Sequence, residues 1–393
     1  MGTGCFANLD LTPNRIELAR RRAAARPGFL DLTSSNPTHQ GLLFPPDILH
    51  RAADAYWSTR RYHPAPRGLP AARVAIAHAY ASRTPPLLLP DEAIFITAST
   101  SEAYGLLFAL LADPGDNILA PNVTYPLFDY LAEIHHVELR SYRLDEANGW
   151  QIDEDDLRRQ VDHRSRAVLI ISPHNPTGAV LRAPLPVLNE MGLPLICDEV
   201  FAPFPYRVLS VPPIAALHPD LPVFQLHGIS KLFALPDLKL GWVALNGPAH
   251  QTCGERLELL NDTFLGASSL IQTMLPTLFA QGMDFVETVR ERIRANLDDG
   301  CRRLAACPAL TLTPPDGGYY LFPRVQGWDD EEDLVLFLLD RGVLVHPGYF
   351  YGEVPGTHLM LSALTEPARF TAGVERLCAA MEETPPPESP FRG

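Results

Sequence analysis

The segment 226–243, LHGISKLFALPDLKLGWV, sets one amine, Lys231, behind a turn-like Gly-Ile-Ser. A second amine, Lys239, follows, and Gly241 and Trp242 then open a new apolar run. Two earlier segments present polar groups in the same manner, at or beyond the end of a short apolar strand. Residues 172–180 (SPHNPTGAV) carry Asn175, and residues 195–201 (LICDEVF) carry Asp198. Open parallel sheets bind their ligands at that edge. An amine there can form a Schiff base, a carboxylate can keep a ring nitrogen protonated, and an amide can fix a ring oxygen. Bound pyridoxal phosphate requires these three groups.

The elements that must position them follow from apolar runs punctuated by Gly and Pro. Strands are predicted at 93–97, 117–121, 137–144, 167–172, 193–197 and 223–226, alternating with helices near 69–82, 101–111 and 153–161. This alternation predicts an α/β fold with a mostly parallel sheet covered on both faces. Between the first strand and its helix lie Ser99, Thr100 and Ser101. Unpaired N–H groups at a helix start can cradle a phosphate, and an ordinary N-cap with Glu102 in the first turn reads equally well. Residues 31–38, which include Asn36, form a strand entering a polar loop, either a ligand contact or a connector. Beyond a largely helical stretch at 249–303, strands at 310–313, 318–325, 343–346 and 358–363 with helices at 331–341 and 367–381 mark an α+β module. The expected division is a large domain at 47–285, a small one from 1–46 and 286–383, and a proline-rich tail at 384–393.

The 393 residues, 46% hydrophobic, are ample for a large core. A formal charge of −14 disfavours nucleic acid or an anionic membrane as partner. The six cysteines show neither metal-ligand nor disulfide-framework spacing, so no metal is expected. The first residues hold no long apolar stretch, which points to the cytoplasm.

From about 31 to 370 the chain resembles fold-type I, pyridoxal-phosphate-dependent aminotransferases of class I/II. The marks occur in family order: Asn175-Pro-Thr-Gly178, Asp198-Glu199-Val200-Phe201, Ser230-Lys231 and Gly317-Gly318. The resemblance implies a mostly parallel seven-stranded sheet in a large domain beside a smaller α+β domain. It makes Lys231 the Schiff-base lysine and proton carrier, which must sit largely out of water. It sets Asp198 on the ring nitrogen, Asn175 on the ring oxygen and Tyr125 against the ring face. Ser99, Thr100, Ser101, Ser230 and Lys239 would hold the phosphate, and Tyr62 would reach across the interface of a homodimer with shared active sites.

Three positions depart from the pattern. Phe201 stands where many relatives have a tyrosine that donates to the ring oxygen, and Lys239 stands where arginine is usual. Met360 stands where an arginine usually grips the substrate carboxylate. Arg324 and Arg67 are the candidate replacements, with His346 and Asn36 as further substrate contacts. The Tyr62…Arg67-Gly68, Ala98–Glu102 and His346-Pro-Gly-Tyr349 marks resemble a less-studied bacterial branch of the family, in which the missing carboxylate arginine is a group feature. The implied activity is ping-pong transfer of an amino group between an amino acid and a 2-oxo acid. A β-eliminating C–S lyase, a decarboxylase and a catalytically inactive cofactor-binding regulatory or structural protein remain alternatives.

Overall fold

Strands of this chain that are apolar at every position must be covered on both faces, and the fold follows from that. The computed structural model describes residues 5–6 and 9–383; the tail expected at 384–393 lies outside them. Seven strands form the main sheet: β1 (Ile94–Thr97), β2 (Asn117–Pro121), β3 (Glu138–Tyr142), β4 (Ser165–Ile171), β5 (Leu195–Asp198), β6 (Val223–Gly228) and β7 (Gly241–Leu245). Their spatial order is β1-β7-β6-β5-β4-β2-β3. The β2–β3, β2–β4, β4–β5 and β5–β6 pairs are parallel, whereas β7 runs antiparallel to both β1 and β6. Edge strand β3 alone has a largely uncovered pattern; the others are buried nearly throughout.

Period-two alternation divides the sheet between cores. Phe95, Leu169, Phe224, Leu226 and Val243 pack on one side with the helices Thr100–Leu111 and Gly247–Thr263. Ile94, Ile96 and Trp242 face the other way, toward the helices Pro70–Ala81 and Ser269–Gln281.

The helix Met283–Ala306 leads into a second sheet built from Leu310–Thr311, Tyr320–Leu321, Arg324–Val325, His346–Pro347 and Thr357–Ser362. Leu30–Asp31 pairs in parallel with Val343–Leu344, so the start of the described chain packs against this C-terminal module. The strand expected over 318–325 is broken between Leu321 and Arg324. Pro323 falls in the gap, where it has no N–H to give a ladder. Similarly, 343–346 is divided: Val343 and Leu344 pair with Leu30–Asp31, then His346 and Pro347 switch to Thr357–Ser362. Among the described residues no helix is long and apolar enough to cross a membrane.

Candidate active site

Three neighbouring strands deliver the polar groups. β5 ends on Asp198; β4 runs into Ser172 and the turn that carries Asn175; β6 ends at Gly228, before the short helix Ile229–Leu232 that holds Ser230 and Lys231. Ile229 N–H donates to Leu240 O at 3.1 Å, tying the lysine segment to the entry of β7. Lys231 is half-buried, and its Nζ lies 5.9 Å from the ring centroids of both Phe201 and Tyr319. Asp198 is 7% exposed. Its Oδ2 accepts from the Tyr104 hydroxyl at 2.9 Å and its Oδ1 from Val200 N–H at 3.0 Å. Burial pushes the Asp198 pKa up to about 6, outweighing those two hydrogen bonds and the positive charge of Lys231. A carboxylate so placed gains strongly from a cation beside it.

The phosphate candidates gather where β1 gives way to its helix. Ser99 caps Thr100–Leu111, its Oγ accepting from Glu102 N–H at 3.0 Å, while Glu102 Oε2 accepts from Ala98 N–H at 2.5 Å. This capping box engages the Ser99 hydroxyl and leaves the first-turn N–H groups at Thr100 and Ser101 for an anion. A Cβ on Gly241 would lie 2.7 Å from the Ser99 carbonyl carbon and 2.8 Å from Thr100 N, so only glycine lets β7 begin this close. That approach brings the exposed Lys239, two residues earlier in a left-handed conformation (φ 49°), toward the same turn. Of the 32 lysines and arginines in the chain, Lys231 and Lys239 are the two lysines. A sequence that otherwise uses arginine keeps an amine at these two positions.

Aromatic rings wall the lysine. Phe201 meets Tyr319 edge-on at 4.9 Å and Tyr320 at 5.6 Å. Tyr125, 41% exposed, packs edgewise on Phe128 at 5.7 Å. Two buried polar atoms in this region have no partner, Asn175 Oδ1 and the Tyr319 hydroxyl. Unmet hydrogen bonding of this kind calls for a polar ligand or water. His174, by contrast, is fully engaged, with Nε2 at 2.8 Å from Val123 O and Nδ1 at 2.9 Å from Thr177 Oγ1. Burial lowers its pKa to about 4, so it is a neutral packing residue. The residues present fit pyridoxal phosphate. A buried acid suits its ring nitrogen, a helix start with an adjacent amine suits its phosphate, and the Asn175 side-chain N–H can donate to its ring oxygen.

The substrate end differs from expectation. Met360 is buried on Thr357–Ser362, with His346 as its Cα partner on the neighbouring strand. His346 Nδ1 lies 3.0 Å from the Tyr351 hydroxyl, and burial lowers its pKa to about 4, leaving it uncharged near neutral pH. Arg67 is not presented to Lys231. Its Nη2 pairs with Glu258 at 2.6 Å, its Nη1 donates to Glu92 O at 2.7 Å, and the guanidinium lies over the Phe95 ring. It braces the helix Gly247–Thr263 against β1. Arg324 lies beyond the break at Pro323, where alternation from Tyr320 and Phe322 no longer holds; it is exposed and pairs with Glu146 at 3.6 Å. Each guanidinium is paired with a carboxylate of its own chain. Asn36 uses its Oδ1 on the N–H and hydroxyl of Thr38, at 3.0 and 2.7 Å, to close a local turn. Tyr62 is 72% exposed, in the loop between the helices Pro46–Thr59 and Pro70–Ala81.

Residues 27–377 match the family model described as aminotransferase class I and II. The chain belongs to this family. It is 28% identical over 365 residues to the glutamate-pyruvate aminotransferase AlaA of Haemophilus influenzae, covering 87% of this chain and 90% of that one. It is also 28% identical over 307 residues to nicotianamine aminotransferase 1 of rice, spanning 74% of this chain and 62% of that relative. The alanine aminotransferase of Pyrococcus furiosus superposes with a TM-score of 0.85 at 26% identity, over 93% of this chain and 95% of the other. The protein is therefore a fold-type I, pyridoxal-phosphate-dependent aminotransferase.

Three residues of this aminotransferase site escaped the sequence. Tyr104 holds Asp198 from one helical turn beyond Thr100, a spacing that puts both on one face of the helix. Tyr319 follows the Gly317-Gly318 turn directly, and Tyr351 supports His346. An i, i+4 reading from Thr100 would have singled out Tyr104. Nothing local marks the other two.

Proposed function

We propose that Lys231, Asp198 and Asn175 carry the amino transfer, and that the amino donor is an amino acid with an apolar side chain. The observation supporting this most directly is the Lys231 amine, set over Phe201 and Tyr319 while its charge acts on buried Asp198. Bound pyridoxal phosphate supplies the electron sink for charge developing at the substrate Cα. Asp198 holds the proton on the ring nitrogen, Tyr104 and Val200 fix the orientation of its carboxylate, and Lys231 Nζ takes the proton from Cα. Thr100, Ser101, Ser230 and Lys239 would anchor the phosphate, with lysine serving as a point charge rather than a fork. Tyr125 would lie against the ring. The apolar wall of Phe201, Tyr320 and Met360 favours an apolar side chain. Tyr62, exposed on its own chain, supports a homodimer whose active sites are shared.

With Arg67 and Arg324 paired elsewhere, the Tyr319 hydroxyl is the group that receives the α-carboxylate. Tyr319→Phe should raise KM for the amino donor about tenfold, the value of one hydrogen bond to a charged group, with a smaller change in kcat. Because an orphaned buried hydroxyl is removed, the melting temperature should not fall. An unchanged KM across a donor panel would remove Tyr319 from the substrate site.

Phe201→Tyr introduces a donor beside the ring oxygen and should lower the pH at which the cofactor absorption band shifts by roughly one pH unit. Spectrophotometric titration of the holoenzyme reads this directly. Elimination and decarboxylation are separated from transfer by a half-reaction screen. An amino acid that converts the cofactor spectrum stoichiometrically and yields its 2-oxo acid, without ammonia or CO2, supports transfer.

A further inference from the structure

A cleft of about 620 Å³ opens behind the catalytic lysine, between the helix Pro70–Ala81, β6–β7 and the Ser269–Gln281 region. Its walls include Val74, Ala75, Leu232, Trp242 and Phe279. Clefts of a few hundred cubic ångströms lined this way hold small molecules. Among the polar side chains in its lining is His227. His227 is only 6% exposed, and its ring stacks on Trp242 with centroids 5.1 Å apart and an interplanar angle of 6°.

Gly228 N–H donates to His227 Nδ1 at 2.7 Å. Nδ1 also lies 3.2 Å from Gly228 O, but the shorter contact with the N–H makes Nδ1 the acceptor, and the neutral ring then carries its hydrogen on Nε2. Burial keeps the ring neutral, lowering its pKa to about 3. Among the described residues Nε2 has no hydrogen-bond partner. A nine-tenths buried donor without an acceptor, bordering an apolar cleft, is a fixed point for a ligand oxygen.

The charge around the cleft selects the kind of oxygen. The lining contains Arg83, Arg290, His78 and His227 and no aspartate or glutamate, while Glu287 pairs with Arg290 at 3.0 Å from outside the lining. Arg83 donates to Glu199, which is wholly buried behind it, and to Val211 O at 3.0 Å. Two hydrogen bonds leave other N–H groups of the guanidinium free to donate. We infer that this cleft is a second binding site, which takes an apolar monocarboxylate with its tail against Trp242 and Phe279 and its carboxylate on His227 Nε2–H beside Arg83. The cleft adjoins the active-site segments through sequence neighbours. Leu232, in its wall, follows Lys231, and Ala202 and Pro203, also in its wall, follow Phe201.

Calorimetric titration of the holoenzyme with octanoate, octanol and octylamine tests this. Octanoate should bind saturably at one site per chain, at least tenfold more tightly than either octanol or octylamine. His227→Leu should weaken octanoate at least tenfold, and Ala75→Trp, which fills the cleft from the helix, should abolish binding. Circular dichroism and retained cofactor absorbance confirm that each variant is folded. The inference is overturned if octanoate gives no saturable binding, if octanol matches it, or if neither variant changes its affinity. The last result would place the acid in the catalytic site instead.

Discussion

Lys231→Ala should lower turnover by at least about 10⁴-fold, the upper range for a positioned acid–base group, and borohydride should no longer fix the cofactor to the chain. The expectation rests on position. Nζ sits at the end of β6 between the rings of Phe201 and Tyr319, and no other described amine shares that wall. The composition makes the labelling experiment unusually clean. Lys239 is the one other lysine, and it lies exposed two residues before Gly241. Peptide mapping of reduced holoenzyme should find label on Lys231 alone. Label on Lys239, or substantial turnover by the alanine variant, would remove the catalytic assignment.

Asp198→Asn should shift activity and stability in opposite directions. Without a full negative charge opposite the ring nitrogen, kcat should fall by about 10²–10³-fold, comparable to the loss of one preorganised electrostatic partner. The cofactor-free protein should become more stable at neutral pH. The folded-state pKa of Asp198 is raised by burial from 3.8 to about 6. Its contribution to stability is therefore fully present below the unfolded value and is lost as pH rises through the folded one. Above about pH 6 the ionised, buried carboxylate costs about 3 kcal/mol relative to a neutral group, from a shift of about two pH units. Thermal melts of cofactor-free wild type and variant should nearly coincide at pH 4, diverge between pH 4 and 6, and stay apart above. Parallel curves across that window would mean that the carboxylate is not desolvated in the free protein. Saturation with cofactor should reverse the order, since only the wild type offers a charge to the ring nitrogen.

Sequence by itself determined the strand-and-helix alternation and the chemical types at the strand ends. Both are local: strands covered on both faces are written in continuous apolar runs such as those of Ile94–Thr97 and Leu195–Asp198, and Asp198 ends its strand while Asn175 and Lys231 lie in the turns that follow theirs. The helix start at Ser99 was legible for the same reason, because Ser99 and Glu102 complete a capping box within one turn. Tertiary structure alone decided what surrounds those groups. Tyr104 reaches Asp198 across 94 positions of sequence, and the insertion of β7 between β1 and β6 brings Gly241 against Ser99 and Thr100. The two arginines show the limit most plainly. Arg67 and Arg324 carry the right charge for a carboxylate, but they are paired with Glu258 and Glu146 of their own chain. A charged side chain is held by whichever opposite charge the fold brings closest, and residue type and spacing do not record that distance.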